Sequence, residues 1–247
     1  MSGWNYWTKR DYYHKELRDR AKGLKDEMEA AKQIASVVES KSESYDSILD
    51  VGCGTGHFIL SLEKKLNSQF KYLGIDITQQ HIDDANEIFS ANQNYKFEVG
   101  DIRDLKLDDK TFEVSICSNT IPHIPNIKKA INELIRVSKG DVFIRMLIGD
   151  EVLITKKALS DKFNELGEPE DFMYVNIYTK DFVKECIGDV GEMFVYDDVY
   201  DAEKIMKHYN EHKEIAGANI ATRIVEGMQF KGCLMLPWKI VHIKIKK

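Results

Sequence analysis

An α/β domain built on a mostly parallel sheet is the fold class this sequence predicts, on three observations. Between residues 47 and 148, short apolar runs of four to seven residues alternate with amphipathic stretches of helical period. Most of the runs are nearly continuously apolar, as strands buried on both faces of a parallel sheet are. The first of them passes directly into a glycine-rich turn, "SILDVGCGTGHFIL" at residues 47–60, with Gly52, Gly54 and Gly56 at alternate positions before a helical pattern resumes.

The elements follow in order. Residues 1–46 form an N-terminal helical arm. Met28, Ala31, Ile34, Val37 and Val38 recur at helical spacing, an aromatic cluster of Trp4, Tyr6, Trp7, Tyr12 and Tyr13 precedes them, and the polar stretch "SKSESYDS" closes the arm. Strands are expected at 48–51, 72–75, 96–99, 114–117 and 142–148, with helices near 57–66, 79–91 and 127–138. After residue 150 the rhythm changes. "EVLITKKALSDKFNELG" reads as a helix and "EPEDFMYVNIY" as a loop. Thr179 is placed to N-cap a short helix that Gly188 closes. "EMFVYDDV" reads as a strand, 201–230 as a helical insertion and "WKIVHIKIK" as a final strand. The division is therefore an arm or lid at 1–46 and one domain at 47–247, with insertions near 151–178 and 201–237.

The totals narrow the function. The chain has 247 residues, 43% hydrophobic and 31% charged, which is the balance of a globule with a substantial core. Its formal charge of −6, with only the terminal "KIVHIKIKK" locally basic, disfavours a nucleic-acid partner. No apolar run approaches the ~20 residues of a membrane span. The opening "MSGWNYWTKRDYYHK" lacks a signal-peptide pattern, so the expected address is the cytosol. The four cysteines have no metal-ligand spacing, and no metal is expected.

Three ligands compete for the glycine turn. A mononucleotide phosphate requires Lys after the last glycine, where His57 and Phe58 stand. A dinucleotide favours G-x-G-x-x-G, and His57 holds the third position. The third ligand is supported by the segments that follow. "YLGIDIT" sets Asp76 at the end of the second strand, "FEVGDIRDL" sets Asp101 just past the third, and "FEVSICSNTIPHIPN" spans the fourth. With "ILDVGCGTGHF", these motifs resemble the class I S-adenosylmethionine-dependent methyltransferases, across about residues 45–148. The sequence departs from that family's usual Lys-Pro-Gly-Gly at "SKGDVFI".

The resemblance implies a Rossmann-like three-layer sandwich with a seven-stranded sheet whose last strand is antiparallel. It implies S-adenosylmethionine as cofactor, with Gly52, Cys53 and Gly54 lining the methionine half as bare backbone. Asp50 would order that turn. Asp76 would accept from the ribose hydroxyls, Asp101 from the adenine amino group, and the Ile102 N–H would meet a ring nitrogen. Ile77 would cover the adenine, and the Ser118 carbonyl would face the methionine ammonium.

His123, about six residues past the fourth strand, is the candidate catalytic base for a hydroxyl acceptor. The partner expected is a small polar methyl acceptor, with O or N as the receiving atom and a sugar or sugar derivative as one form. The segment "SNTIPH" lacks the motif of nucleic-acid adenine methylation, and "EVSICSN" has no Asp at the strand end, where the metal-dependent catechol type needs acidic ligands. The chain would act as a monomer or homodimer. The competing readings are a non-catalytic S-adenosylmethionine-binding regulator or partner subunit and a nicotinamide oxidoreductase.

Overall fold

The structure, a computed structural model, describes residues 11–42, 44–66, 69–199, 201–216, 222–232 and 234–246. Its main sheet uses β1 (Ser47–Val51), β2 (Lys71–Asp76), β3 (Tyr95–Val99), β4 (Phe112–Ser118) and β5 (Ser138–Leu147), all parallel. Two short strands, β6 (Lys156–Ala158) and β7 (Phe172–Tyr174), pair apart from it. β8 (Gly191–Asp197) is an edge strand. β9 (Arg223–Val225), β10 (Met228–Lys231) and β11 (Leu234–Met235) make a small sheet, and β12 (Trp238–Ile245) completes the main one. The order β3-β2-β1-β4-β5-β12-β8 has seven strands, and β12 runs antiparallel to both of its neighbours. This is the expected seven-stranded Rossmann-like sheet with an antiparallel last strand. The direction of winding reverses between β1 and β4, and in such sheets the ligand crevice lies at the carboxyl ends of the strands there.

Helices α1 (Asp11–Ala21), α2 (Glu29–Glu39), α3 (Ile59–Glu63), α4 (Gln79–Ile88), α5 (Ile127–Val137), α6 (Lys180–Ile187) and α7 (Ala202–Ala216) complete the element list. Alternate strand residues feed two cores. Leu49, Val51, Ile144 and Val241 pack under α5 and α6, while Ile48, Val114, Ile116 and Phe143 pack under α2, α3 and α4. α2 buries Ala30, Ala31, Ile34, Ala35 and Val38 in that second core, so it belongs to the sandwich and not to a detachable arm. α1 buries Leu17 and Ala21 and packs beside α4, where Arg18 pairs with Asp84. Trp4, Tyr6, Trp7 and the side chains of Tyr12 and Tyr13 lie outside what is described.

Three expectations past residue 150 fail, the first being the loop at 168–178, which contains the strand Phe172–Tyr174. Residues 151–167 form no helix. Lys156–Ala158 pairs with Phe172–Tyr174, Leu153 bridges Ile177, and Phe163 bridges Pro169. The competing side-chain hydrogen bonds explain the outcome. Asn164 Oδ1 accepts from the Leu166 and Glu168 amides around a turn closed by Gly167, and buried Asn176 Oδ1 accepts from the Thr155 amide. The helix in the later insertion ends at Ala216, and 223–231 is a hairpin whose Glu226-Gly227 tip has φ +50° and +79°. The remaining boundaries move by a few residues. The largest shift is at β5, which starts at Ser138 because the "SKGD" segment pairs with β4 instead of looping. Thr179 caps α6 by accepting from the Phe182 amide, and Gly188 ends it at φ +62°.

Candidate active site

The turn after β1 owes its glycines to protein packing. Gly52 has φ +81°, and a methyl group built on it would lie 2.0 Å from Thr120 Oγ1. Gly54 has φ +55°, with Leu17 of α1 at 2.9 Å from the same point, and Gly56 has φ +75°, with the Phe97 ring at 2.6 Å. The absence of side chains at these positions is thus also required by the protein itself, since Thr120, Leu17 and Phe97 occupy the spaces a Cβ would enter. The amides of the turn are also used within the protein. The Gly52 and Cys53 N–H groups donate to the Ile75 carbonyl (2.7 and 3.1 Å), Gly54 N–H to Asp76 Oδ2 (3.0 Å) and Gly56 N–H to the Cys53 carbonyl (3.0 Å). A phosphate-binding turn needs its amides pointing at the ligand. This one commits these four to its own acceptors.

Carboxylates and carbonyls remain at the strand ends. Asp76 closes β2 and accepts from Gly54 N–H, from Thr78 N–H (2.8 Å) and from His81 (3.4 Å). Burial acts to raise its carboxyl, but His81 and the two amides outweigh it and hold the group below the ordinary carboxylate range. Asp101, just past β3, receives the Arg103 fork at 2.6–3.1 Å and the Arg103 amide at 2.9 Å, and its carboxyl is likewise held low against burial. Each carboxylate has about four lone-pair sites; Asp76 meets three donors and so keeps one, and Asp101 is met by Arg103 alone, whose Nε–H is shared between its two oxygens. Half-buried Ile77 and buried Ile102 adjoin them. The Ser118 carbonyl, at the end of β4, accepts from Thr120 Oγ1 at 3.3 Å.

Asp50 lies deeper than the rest. It is 2% exposed, and Tyr72 donates its hydroxyl to Asp50 Oδ2 at 2.6 Å. Burial pushes its carboxyl up to about 7, against the Tyr72 hydrogen bond and with the help of Asp76. Its contact is with the inside of the sheet, beneath the turn. Buried Cys53 keeps a protonated thiol, pushed up first by burial and then by Asp76 and Asp50.

Sequence reasoning did not single out the partners that hold these groups: Tyr72, Thr78, His81 and Thr120. The available signal was position, since Thr78 and His81 open α4 directly after Asp76. α1 covers the same region. Leu17 presses on Gly54, Arg18 pairs with Asp84 and with Glu87 (2.7 Å), and the His14 ring lies 4.3 Å from that of His81.

His57 is buried, and burial first, then Arg20 and His81, bring its imidazole down to about 3. The folded chain thus holds it neutral while the unfolded chain protonates it near 6.5. Stability from this group is complete above pH 6.5 and is lost as pH falls toward 3. Between pH 7.5 and 5 the stability difference should shift in favour of His57→Phe by about 2 kcal/mol. Urea unfolding at the two pH values checks this, and a pH-independent difference contradicts it.

His123 ends a short 3₁₀ turn at 121–123, beyond β4. Its Nδ1 lies 2.7 Å from the Tyr174 carbonyl, and because a carbonyl only accepts, Nδ1 carries the hydrogen and Nε2 the lone pair. Burial lowers the ring to about 4, with the Tyr174 carbonyl opposing. The insertion is fastened to this turn by Asn176, whose amide donates to the Pro122 carbonyl (2.9 Å) and whose side chain donates to the Ile124 carbonyl (3.2 Å). Trp238, at the start of β12, stacks on the Arg145 guanidinium at 4.2 Å.

The sequence model of a family described as "Methyltransferase domain" matches residues 42–186, more than half of the chain and every strand end described above. This chain belongs to that methyltransferase-domain family. It is 26% identical over 130 residues to the uncharacterized methyltransferase YcgJ of Bacillus subtilis, spanning 52% of this chain and about half (49%) of YcgJ. It is 24% identical over 187 residues to the malonyl-[acyl-carrier protein] O-methyltransferase of Calditerrivibrio nitroreducens, 73% of this chain and 72% of that one. The crystal structure of YcgJ superposes with a TM-score of 0.56 at 18% identity, covering 86% of this chain and 97% of YcgJ, and so shares the fold of this methyltransferase domain. Among its described residues, no group of three or more His, Cys, Asp or Glu could hold a metal ion, and no helix is long and apolar enough to cross a membrane.

Proposed function

We propose that this chain is an S-adenosylmethionine-dependent methyltransferase acting on an O or N atom of a small polar molecule such as a sugar. The observation that carries this is the set of hydrogen-bond acceptors at the carboxyl ends of β2 to β4. Four of the turn amides are spent within the protein, and two ionised carboxylates and a carbonyl stand at the strand ends. Such a site suits hydroxyls, amino groups and a cation, and repels phosphate. The residues fit the cofactor: Asp76 for the ribose diol, Asp101 and the Ile102 amide for the adenine edge, Ile77 for its face, and Ser118 for the ammonium. Gly52, Cys53 and Gly54 line the methionine side, and Asp50 with Tyr72 supports them from below. When bound, the cofactor supplies an electrophilic methyl group. The protein contributes alignment of the acceptor, worth up to ~7–11 kcal/mol in good cases. α1, seated on the glycine turn, is the covering element.

His123 belongs to the acceptor side. Neutral and with its tautomer fixed by Tyr174, it accepts a hydrogen bond from an acceptor O–H or N–H through Nε2 and orients it for attack. His123→Ala should lower kcat about 100-fold while leaving S-adenosylhomocysteine affinity unchanged. Full turnover in that variant removes His123 from the chemistry. The reading as a whole is tested by incubating the chain with S-adenosylmethionine and pooled small metabolites. A product heavier by one methylene, matched by S-adenosylhomocysteine formation, supports it. Saturable binding with no transfer to any acceptor would favour a cofactor-binding regulator.

A further inference from the structure

Arg145 lies on β5 directly beside Ser118 of β4, at the carboxyl end of the sheet. It is 7% exposed, and all three nitrogens of its guanidinium donate hydrogen bonds. Nη1 donates to Asn119 Oδ1, Nε and Nη2 donate to the two oxygens of Asp198 (3.2 and 2.6 Å), and Trp238 covers one face. The Asp198 side chain is itself 3% exposed, and Gln229 of β10 donates to it at 3.4 Å. Asn119 is held twice by the same residue, since its backbone N–H also donates to the Arg145 carbonyl at 3.0 Å. Asn119 is one of three non-glycine residues at positive φ among those described, at +60°. Asparagine takes that conformation at a smaller cost than other residues with a Cβ, and here Arg145 holds both its side chain and its amide there. The turn it makes sets Thr120 with Oγ1 in the space beside Gly52 and against the Ser118 carbonyl.

We propose that Arg145 is a positioning residue for the methionine end of the cofactor site, clamping Asn119 in the left-handed turn that holds Thr120 between Gly52 and Ser118. The inference rests on the function proposed above. Its chemistry requires arginine: only a planar fork reaches Asn119 and both oxygens of Asp198 while stacking on an indole. Asp198 fixes the fork, and through Gln229 and Trp238 the later insertion bears on the methionine side of the site.

The test measures S-adenosylhomocysteine binding by calorimetry, with urea unfolding alongside, on the full chain. The paired variant Arg145→Met/Asp198→Asn removes the clamp without leaving a buried unpaired charge. The side-chain amide introduced at position 198 would still accept from Gln229. The paired variant should bind about ten-fold more weakly than the parent. Adding Asn119→Gly, which takes the left-handed conformation unaided, should restore affinity to within about three-fold. A purely structural ion pair would lower unfolding stability and show no such rescue. Asn119 alone gives a second reading should the paired variant not fold: Asn119→Ala should bind about five-fold more weakly and Asn119→Gly like the parent. Parental affinity in the paired variant or in Asn119→Ala, or no recovery with Asn119→Gly, overturns the inference. A parent chain that does not bind S-adenosylhomocysteine overturns the proposed function, and this inference with it.

Discussion

Asp76→Asn should weaken S-adenosylhomocysteine binding by about 3 kcal/mol, roughly 150-fold, and destabilise the fold by about 2 kcal/mol. Both effects come from one geometry. The carboxylate accepts from Gly54 N–H on one oxygen and from Thr78 N–H on the other. An asparagine can accept on one side only. Its NH2 group then faces a backbone N–H, donor against donor, and the turn after β1 loses its tie to the start of α4. The outward lone pair assigned to the ribose diol loses its charge in the same change. His81, whose ring meets Asp76, loses an anionic partner. Asp76→Ala should lose less stability per contact, because it removes the acceptor without installing a facing donor. Calorimetric titration and urea unfolding of the three proteins separate the effects. Parental affinity in Asp76→Asn would remove Asp76 from the cofactor site.

Gly52→Ala should cost about 3 kcal/mol of folding stability, near a 6–12 °C fall in melting temperature for a chain of this size. Part of the cost is conformational, since φ +81° is a left-handed value that an alanine adopts with strain. The rest is steric, because the new methyl would sit 2.0 Å from Thr120 Oγ1 and 3.0 Å from Thr120 Cβ. The two parts are separable. Thr120→Ala removes the hydroxyl and should recover about 1 kcal/mol in the Gly52→Ala background, leaving the backbone strain in place. A loss under about 0.5 kcal/mol on Gly52→Ala, or no coupling to Thr120, would contradict the packing described for this turn.

The sheet was legible because its signal is redundant. β1, β2, β4 and β5 are largely buried, mostly apolar runs, the edge strand β3 buries Phe97 alone, and each core helix presents one apolar stripe, as Ile127, Ala130, Ile131 and Leu134 do along α5. The late insertions were not legible, because there the outcome depends on single side-chain hydrogen bonds. Asn176 joins the Thr155 amide to the Pro122 and Ile124 carbonyls across the fold, and no local pattern of residues 151–167 encodes that. The Glu226-Gly227 tip was a readable hairpin signal set inside a segment taken as helical. At the site, the acids at the strand ends were visible as motifs, while their occupancy was not. Arg103 lies two residues from Asp101 in sequence and forks onto it, yet Thr120 meets Gly52 only because the fold brings β4 beside β1. The glycines illustrate the limit best. Their pattern marked the right turn, and the spaces they leave are taken by Thr120, Leu17 and Phe97.

The central claim is that ionised acids at the ends of β2 and β3, with the carbonyl at the end of β4, hold one adenosyl amino acid across a turn that commits four of its amides to the protein. Calorimetric titration of the intact chain with S-adenosylhomocysteine, run in parallel with NAD, tests it most directly. Saturable one-to-one binding of S-adenosylhomocysteine with no heat from NAD is the expected result. No binding of S-adenosylhomocysteine, or tighter binding of NAD, would contradict it.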